Sequence, residues 1–419
     1  SKIYRKAEEM QNMAFKQKRM IPLMLATILS INLFSAPAMA VPKLFDTSTD
    51  FSLKLFKKEL KGKENKNVLV SPLSVYMALS MTASGARGKT KKAMLSTLGI
   101  VSDDLDSVGA RNLEMLDRLR NSGSKGGVRL DIANALFARK GFDFSKQFLK
   151  SNREFYNAKI QALDFGDSNS VKEINSWVSE NTQGKIPKII EKISADHVLF
   201  LINAVYFKGD WSKPFEKSKT KEEAFHLADG KTQPVFMMHT LRKVPYLKGE
   251  NFQAIGLAYG DKKTSAYIFL PDKNTDLKKF ADSISDKNWK LWLGSMQHRK
   301  GNIALPRFKM NYSKKLKESL SDLGMKIAFD AQKANFKGML PENSREQLFI
   351  NQVLHKTFME VNEEGTVAAA VTSVGMFRAM ARVEDPPFNM VVDRPFIIAL
   401  VDRETSAILF IGAVFKPER

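Results

Sequence analysis

Small residues on alternate positions, leading into side chains that endopeptidases favour, are the part of this sequence with the most chemistry in it. From Glu363 the chain reads Glu-Glu-Gly-Thr-Val-Ala-Ala-Ala-Val to Val371. Thr366, Ala368, Ala370 and Thr372 share one parity, the period-two signature of a strand with one side meant for burial. Yet the stretch lies where a loop is expected, and loops favour Gly, Pro, Asn and Asp. Met376, Phe377, Arg378, Met380 and Arg382 follow, and the segment turns at Pro386-Pro387. These side chains suit the specificity pockets of proteases, so the chemistry would be done to this loop by an attacking enzyme.

Constellations that would make the chain itself an enzyme are weak. Ala83 to Thr90 (Ala-Ser-Gly-Ala-Arg-Gly-Lys-Thr) satisfies a relaxed phosphate-loop pattern, but that motif needs a buried strand before it. Ser71 to Thr82 instead has the caps and spacing of a helix. The five histidines (His197, His226, His239, His298, His355) show no i, i+4 pairing and no H-E-x-x-H, so no zinc site is expected. No G-x-S-x-G elbow is present. With no cysteine, disulfides, thiolate metal sites and cysteine nucleophiles are excluded together. No cofactor is expected.

The elements that must hold the loop can be read coarsely. Ser71-Pro72 marks a helix start, the hydroxyl capping and proline at the first helical position, followed by Leu73, Val75, Met77, Ala78 and Met81. Val198 to Phe207 is a nearly continuous apolar run, as in a strand buried on both faces. Ile397 to Val401 and Ala407 to Phe415 flank the polar turn Asp402 to Ser406 as in a hairpin. Helices dominate the first third and strands the last, which predicts an α+β fold. At 43% hydrophobic and 26% charged residues over 419 positions, the chain is an ordinary globular one. No linker, repeat or low-complexity tract divides it, so residues 41–419 read as one domain.

The amino terminus reads differently. Lys16, Lys18 and Arg19 precede an apolar run from Met20 to Phe34, which ends in Ala36-Pro37-Ala38-Met39-Ala40, a signal-peptide pattern too short for a comfortable membrane span. Residues 1–40 are therefore expected to be a signal peptide, with Met13 as an alternative start, and the protein to be secreted or exported. They hold six of the 66 basic residues and two of the 45 acidic ones, so the remainder carries a formal net charge of +17. Such a balance attracts acidic surfaces.

The loop and several motifs together resemble the serpin family, the serine protease inhibitors that insert a cleaved loop into their own sheet. Asn67 to Ser74, Gly85 to Thr90, Ala133 to Phe137, Ile174 to Val178, Thr182 to Ile186, Asn203 to Trp211, Asp393 to Phe396 and Phe410 to Gly412 follow the family pattern in order. Phe215, Thr220 and Phe225 sit at the offsets expected from it. The resemblance covers roughly residues 45 to 417. It implies the serpin fold, with three sheets, about nine helices and an exposed reactive-centre loop, here 363–387.

The same resemblance assigns roles. Glu363, Glu364, Gly365, Thr366, Val367, Ala368, Ala369 and Ala370 would form the hinge. Its small uncharged residues are those of inhibitory members, with Val367 departing where many inhibitors carry glutamate. Trp211, Arg307 and Glu363 would form the breach at the top of the sheet, with an ion pair between Arg307 and Glu363. Ser71, Ser74, Asn203 and His355 would form the shutter beneath the sheet centre. Arg111, Arg118, Arg120, Lys125 and Arg129 fall where some serpins bind a polyanion, and equally read as a solvated basic face.

The reactive bond is expected at Arg378-Ala379 or Ala379-Met380, with Phe377 and Arg382 as alternatives. Ala379 lies sixteen residues after Glu363, the family's usual count. Arg378 fits better chemically, because a trypsin-like pocket holds a guanidinium against a carboxylate. Phe377 before it suits papain-like enzymes, while Ala379 would suit elastase-like or subtilisin-like ones. The implied function is a monomeric, non-enzymatic inhibitor of an endopeptidase; the alternative is a serpin scaffold used as a carrier or chaperone.

Overall fold

The computed structural model describes residues 44–418, apart from 63–64, 103, 125–127, 195–196 and 367–385. Residues 1–40, read above as a signal peptide, lie outside the described residues, as do Val367 to Ala370, the candidate bond residues Phe377 to Arg382, and Lys125. Pro42–Arg419 forms one compact unit. Nine α-helices occur among the described residues. Helices α1 (Leu44–Leu60), α2 (Pro72–Ser84), α3 (Gly88–Leu98) and α4 (Leu105–Ser124) come first. Then follow α5 (Lys146–Tyr156), α6 (Ser168–Asn181), α7 (Leu277–Ser283), α8 (Asp286–Gly294) and the short α9 (Lys317–Leu320).

Fifteen strands are described: β1 (Val68–Val70), β2 (Val128–Arg139), β3 (Lys159–Leu163), β4 (Leu199–Asp210), β5 (Lys221–His226), β6 (Thr232–Lys248), β7 (Phe252–Ala258), β8 (Thr264–Pro271), β9 (Gln297–Pro306), β10 (Phe308–Lys315), β11 (Gln352–Val361), β12 (Gly365–Thr366), β13 (Phe388–Val391), β14 (Phe396–Asp402) and β15 (Ile408–Val414). One sheet runs β10-β11-β4-β2-β3, with β12 added to β4. The other runs β1-β15-β14-β8-β7-β6-β9-β13, with β5 added to β6. Two of the expected three sheets are thus joined by β6, whose 17 residues extend about 56 Å at roughly 3.3 Å each. Its first six residues pair with β5, its last three with β7, and the stretch between them with β9.

Parity explains how the first sheet carries function. On β4, Phe200, Ile202, Ala204 and Tyr206 pack with Ile174 and Val178 of α6, while Leu199, Leu201, Val205 and Phe207 enter the main core. Alternate side chains point to opposite faces, so Asn203 shares the main-core face. By the same count Asn134 on β2 and His355 on β11 face that way. Against this face lies α2, buried from Pro72 to Ala83, as expected for a helix apolar all round.

The helix starts at Pro72, but Ser71 makes no capping bond, which corrects the sequence reading. Its Oγ instead donates to Leu409 O on the β14-β15 hairpin at 2.7 Å. That carbonyl neighbours the helix start in space, and no local pattern encodes it. Because α2 precedes Gly85 to Thr90, the strand that a phosphate loop needs is absent there.

Candidate functional site

The site is a seam between β4 and β11. These parallel strands pair from Gln352↔Phe200 up to Phe358↔Tyr206. Above that rung β4 runs on to Asp210 and β11 to Val361, but they no longer pair with each other. The turn after β11 brings Gly365 and Thr366 into the opening, antiparallel to β4, at Gly365↔Asp210 and Thr366↔Gly209. On its other edge Gly209 still pairs with Val128 of β2. The first two residues of the hinge strand therefore occupy the mouth of a seam that remains closed below.

Local chemistry fixes that turn. Asn362 Oδ1 accepts from the N–H groups of Glu364 and Gly365, both at 3.1 Å, an Asx turn. Gly365 has φ +139°, a region that disfavours any Cβ. A Cβ there would collide with Gly209 O and stand 2.5 Å from Asp210 Cα and 2.6 Å from Trp211 N. Only glycine lets the hinge lie this close to β4.

Around the turn stand the predicted breach residues. Trp211 donates from Nε1 to Asn362 O at 2.9 Å and from its backbone N to Glu364 O at 2.8 Å. Its ring stacks on Tyr259, centroids 4.2 Å apart and planes at 15°. Arg307 Nη2 lies 2.8 Å from Glu363 Oε1, which also accepts from Thr220 Oγ1 at 2.8 Å. The Glu363 side chain is only 4% exposed and that of Arg307 43%. Burial pushes the Glu363 carboxyl up, but the Thr220 hydroxyl, a backbone N–H and Arg307 outweigh it, so its pKa falls below the ordinary value. Lys217 pairs with Glu364 at 2.6 Å. Beside the mouth, Arg242 lies 4.3 Å from the Phe215 ring centroid, and burial lowers its pKa to about 10.

Deeper in the seam the four residues expected at the shutter meet. His355 and Asn203 are paired across β11 and β4, and Asn203 and Asn134 across β4 and β2. Ser71 N donates to His355 Nε2 at 3.1 Å. With Nε2 accepting, the proton sits on Nδ1, which donates to Asn203 Oδ1 at 2.6 Å. Ser74 Oγ reaches the same Oδ1 at 2.8 Å, and Asn203 Nδ2 donates to Asn134 Oδ1 at 2.7 Å. His355 and Asn203 are fully buried, and burial lowers the His355 pKa to about 3. A neutral polar chain thus ties three strands to α2 where they would have to part.

Sequence reasoning missed Asn134, Asn362, Lys217 and Tyr259. Asn134 carried a signal, a lone amide inside the apolar run Ala133 to Phe137. Of the residues expected to contact a polyanion, three have described side chains, and each has a local partner. Arg118 pairs with Asp402 at 2.7 Å and Glu404 at 2.9 Å, and Arg129 with Asp131 at 2.9 Å. Arg111 lies on α4 and donates to Ser107 O at 3.3 Å. Arg120 is on the same helix. Among the described residues no cluster suited to a metal occurs, and no helix is long and apolar enough to cross a membrane.

Comparison with known proteins agrees with this geometry. The family model described as serpin (serine protease inhibitor) matches residues 46–417. Serpin B6 of Macaca fascicularis is 38% identical over 386 residues, covering 89% of this chain and 99% of that protein. Leukocyte elastase inhibitor of Xenopus tropicalis is 35% identical over 385 residues, with the same coverage. The crystal structure of the thermophilic serpin tengpin in its native state matches with TM-score 0.80 and 33% identity, covering 89% of this chain and 94% of that one. The expectation of secretion is overturned here. Serpin B6 and leukocyte elastase inhibitor are intracellular serpins without signal peptides. A basic stretch followed by an apolar run thus misled the localisation reading, while the seam, its hinge turn and the match over 46–417 agree: this chain belongs to the serpin family.

Proposed function

We propose that this protein traps a serine endopeptidase as a covalent acyl-enzyme, by drawing its cleaved reactive loop into the seam between β4 and β11. One observation carries the reading: Gly365 and Thr366 already pair with the β4 edge above the last β4-β11 rung. One domain from residue 41 onward would serve, with 363–387 as hinge and loop. The protease serine Oγ attacks the bait carbonyl, that of Arg378 in the favoured register. The bond to Ala379 N breaks, the leaving amine takes the proton held by the protease histidine, and an ester joins the two proteins.

Cleavage frees the segment after Thr366 to continue the strand that Gly365 begins. Loop insertion is an established strand-addition switch of serpins. About fifteen residues at roughly 3.3 Å carry the tethered protease some 50 Å. At about 1 kcal/mol net per new ladder bond, plus burial of alternate side chains, the gain is on the order of 10 kcal/mol. The alternate small residues of the hinge support this use, because a buried unpaired charge in the new strand would cost several kcal/mol.

The target is taken to be trypsin-like, from Arg378; papain-like, elastase-like and subtilisin-like enzymes are the competing classes. A relative named leukocyte elastase inhibitor keeps the elastase class in view. Heat tests the insertion step. Nicking the loop with a protease that is not trapped is expected to raise the unfolding temperature by about 20 °C or more, given a gain of this size. An unchanged midpoint after complete nicking would contradict insertion.

A further inference from the structure

Three successive carbonyls of the hinge turn are held by two residues of the connection after β4. Trp211 Nε1 donates to Asn362 O at 2.9 Å, Phe215 N to Glu363 O at 2.7 Å and Trp211 N to Glu364 O at 2.8 Å. Where the hinge stands therefore depends on where Trp211 and Phe215 stand. Trp211 is fixed by its stack on Tyr259, and Ser212 N beside it donates to Ala258 O at 2.9 Å. Phe215 lies beyond that support. Lys213 and Pro214 before it are exposed, and proline offers no N–H of its own.

Arg242 reaches this end of the connection from the other sheet. It lies on β6 opposite Gly301 of β9, donates from Nη1 to Lys213 O, and sets its guanidinium 4.3 Å from the Phe215 ring centroid, within cation–π range. Its other donors have no such use. Nε and Nη2 are closed to solvent and have no hydrogen-bond partner among the described residues, although buried polar groups are nearly always paired. A neighbouring carboxylate would raise the pKa, yet burial alone acts on it and lowers it to about 10. Unpaired buried donors cost stability, and so does a buried charge without a counter-ion. An apolar side chain of similar length would cover Phe215 without either cost, so packing alone does not account for arginine here.

We propose that Arg242 is a positioning residue of the hinge: through Lys213 O and the Phe215 ring it places the Phe215 N–H that holds the Glu363 carbonyl, and so ties the second sheet to the mouth of the seam. Stability is given up for placement, a common exchange where function needs a fixed geometry. The part this plays in protease capture rests on the insertion reading above; the hold on the turn does not.

Hydrogen exchange of the uncut full chain, read by mass spectrometry, tests it in R242M beside the wild type. The Phe215 amide should lose protection by about tenfold or more, while β7 and β8 keep theirs. The unfolding midpoint should stand at or above that of the wild type, because the buried charge is gone. R242K, which keeps a cation for Phe215 and a donor for Lys213 O, should recover most of the protection. R242Q is expected to act as R242M does and replaces it if R242M fails to fold. With a protease that the wild type traps, about twofold more R242M should be consumed for each protease captured. Wild-type exchange at Phe215, a loss of protection spread evenly over both sheets with a lowered midpoint, or an unchanged stoichiometry would overturn the proposal. If the wild type traps no protease, the insertion reading fails by itself and the exchange result still decides the hold on the turn.

Discussion

His355 on β11 donates from Nδ1 to Asn203 Oδ1 on β4 at 2.6 Å, and its Nε2 accepts from Ser71 N at 3.1 Å. The two strands that the proposed insertion would separate are thus joined by a neutral imidazole whose tautomer is fixed by its partners. Protonation would place a hydrogen on Nε2 against the Ser71 N–H and add a charge in a fully buried place.

A pH dependence follows with a definite sign. Unfolded, the imidazole takes up a proton as pH falls through about 6.5; folded, it resists down to about 3. Between these values the unfolded state binds more protons, so stability is present above about 6.5 and is lost as pH falls, by up to about 1.4 kcal/mol per pH unit. Denaturant midpoints between pH 7 and 4.5 should drop more steeply in the wild type than in His355→Gln. Equal slopes would remove His355 from that role.

Reversing the hinge charge should loosen the seam mouth. Glu363 is nearly buried and accepts from Thr220 and Arg307. Its loss should cost about 2 kcal/mol, the half-exposed Arg307 rehydrating in part. Glu363→Lys, heated mildly, is expected to form polymers several-fold faster on native gels. Wild-type rates would contradict the hinge assignment.

Gly365→Ala probes the close approach directly. With φ +139° and β4 backbone where the Cβ would lie, even one methyl must push the hinge out of the seam mouth. Slower insertion is expected, so more inhibitor molecules should be cleaved for each protease captured, rising at least twofold in a stoichiometry titration. An unaltered stoichiometry would show that the pairing of Gly365 with Asp210 does not precede insertion.

The bait bond is read from the released peptide. Mass spectrometry is expected to find a fragment beginning at Ala379, and Arg378→Ala should reduce capture of trypsin-like enzymes by a hundredfold or more, through loss of the bidentate pairing. A fragment beginning at Met380 would move the bond to Ala379, and one beginning at Val383 would sink both.

Much of this site was legible because its signals are local. Pro72 and the apolar positions after it announced α2, and the apolar run Val198 to Phe207 announced β4, while the role expected of Asn203 came from the resemblance. What escaped depends on contacts distant in sequence. The Ser71 hydroxyl chose Leu409 O over its own helix, and Asn134 acquired meaning only when β2 paired with β4. The joining of two expected sheets rests on how β6 pairs along its length. The apolar run after Arg19 fitted an export signal by composition, but relatives covered almost end to end by this chain point against secretion.

Protease capture is tested most directly on a denaturing gel. Incubated with trypsin, with a pancreatic-type elastase and with subtilisin, the intact protein should yield with at least one a band of summed mass that survives boiling in detergent. Thr366→Arg, which puts a charge in the strand to be inserted, should yield cleaved chain and no such band. Cleavage of the wild type by all three without any covalent band, while the cut protein gains no thermal stability, would contradict the inhibitory account and leave the fold as a scaffold for another task.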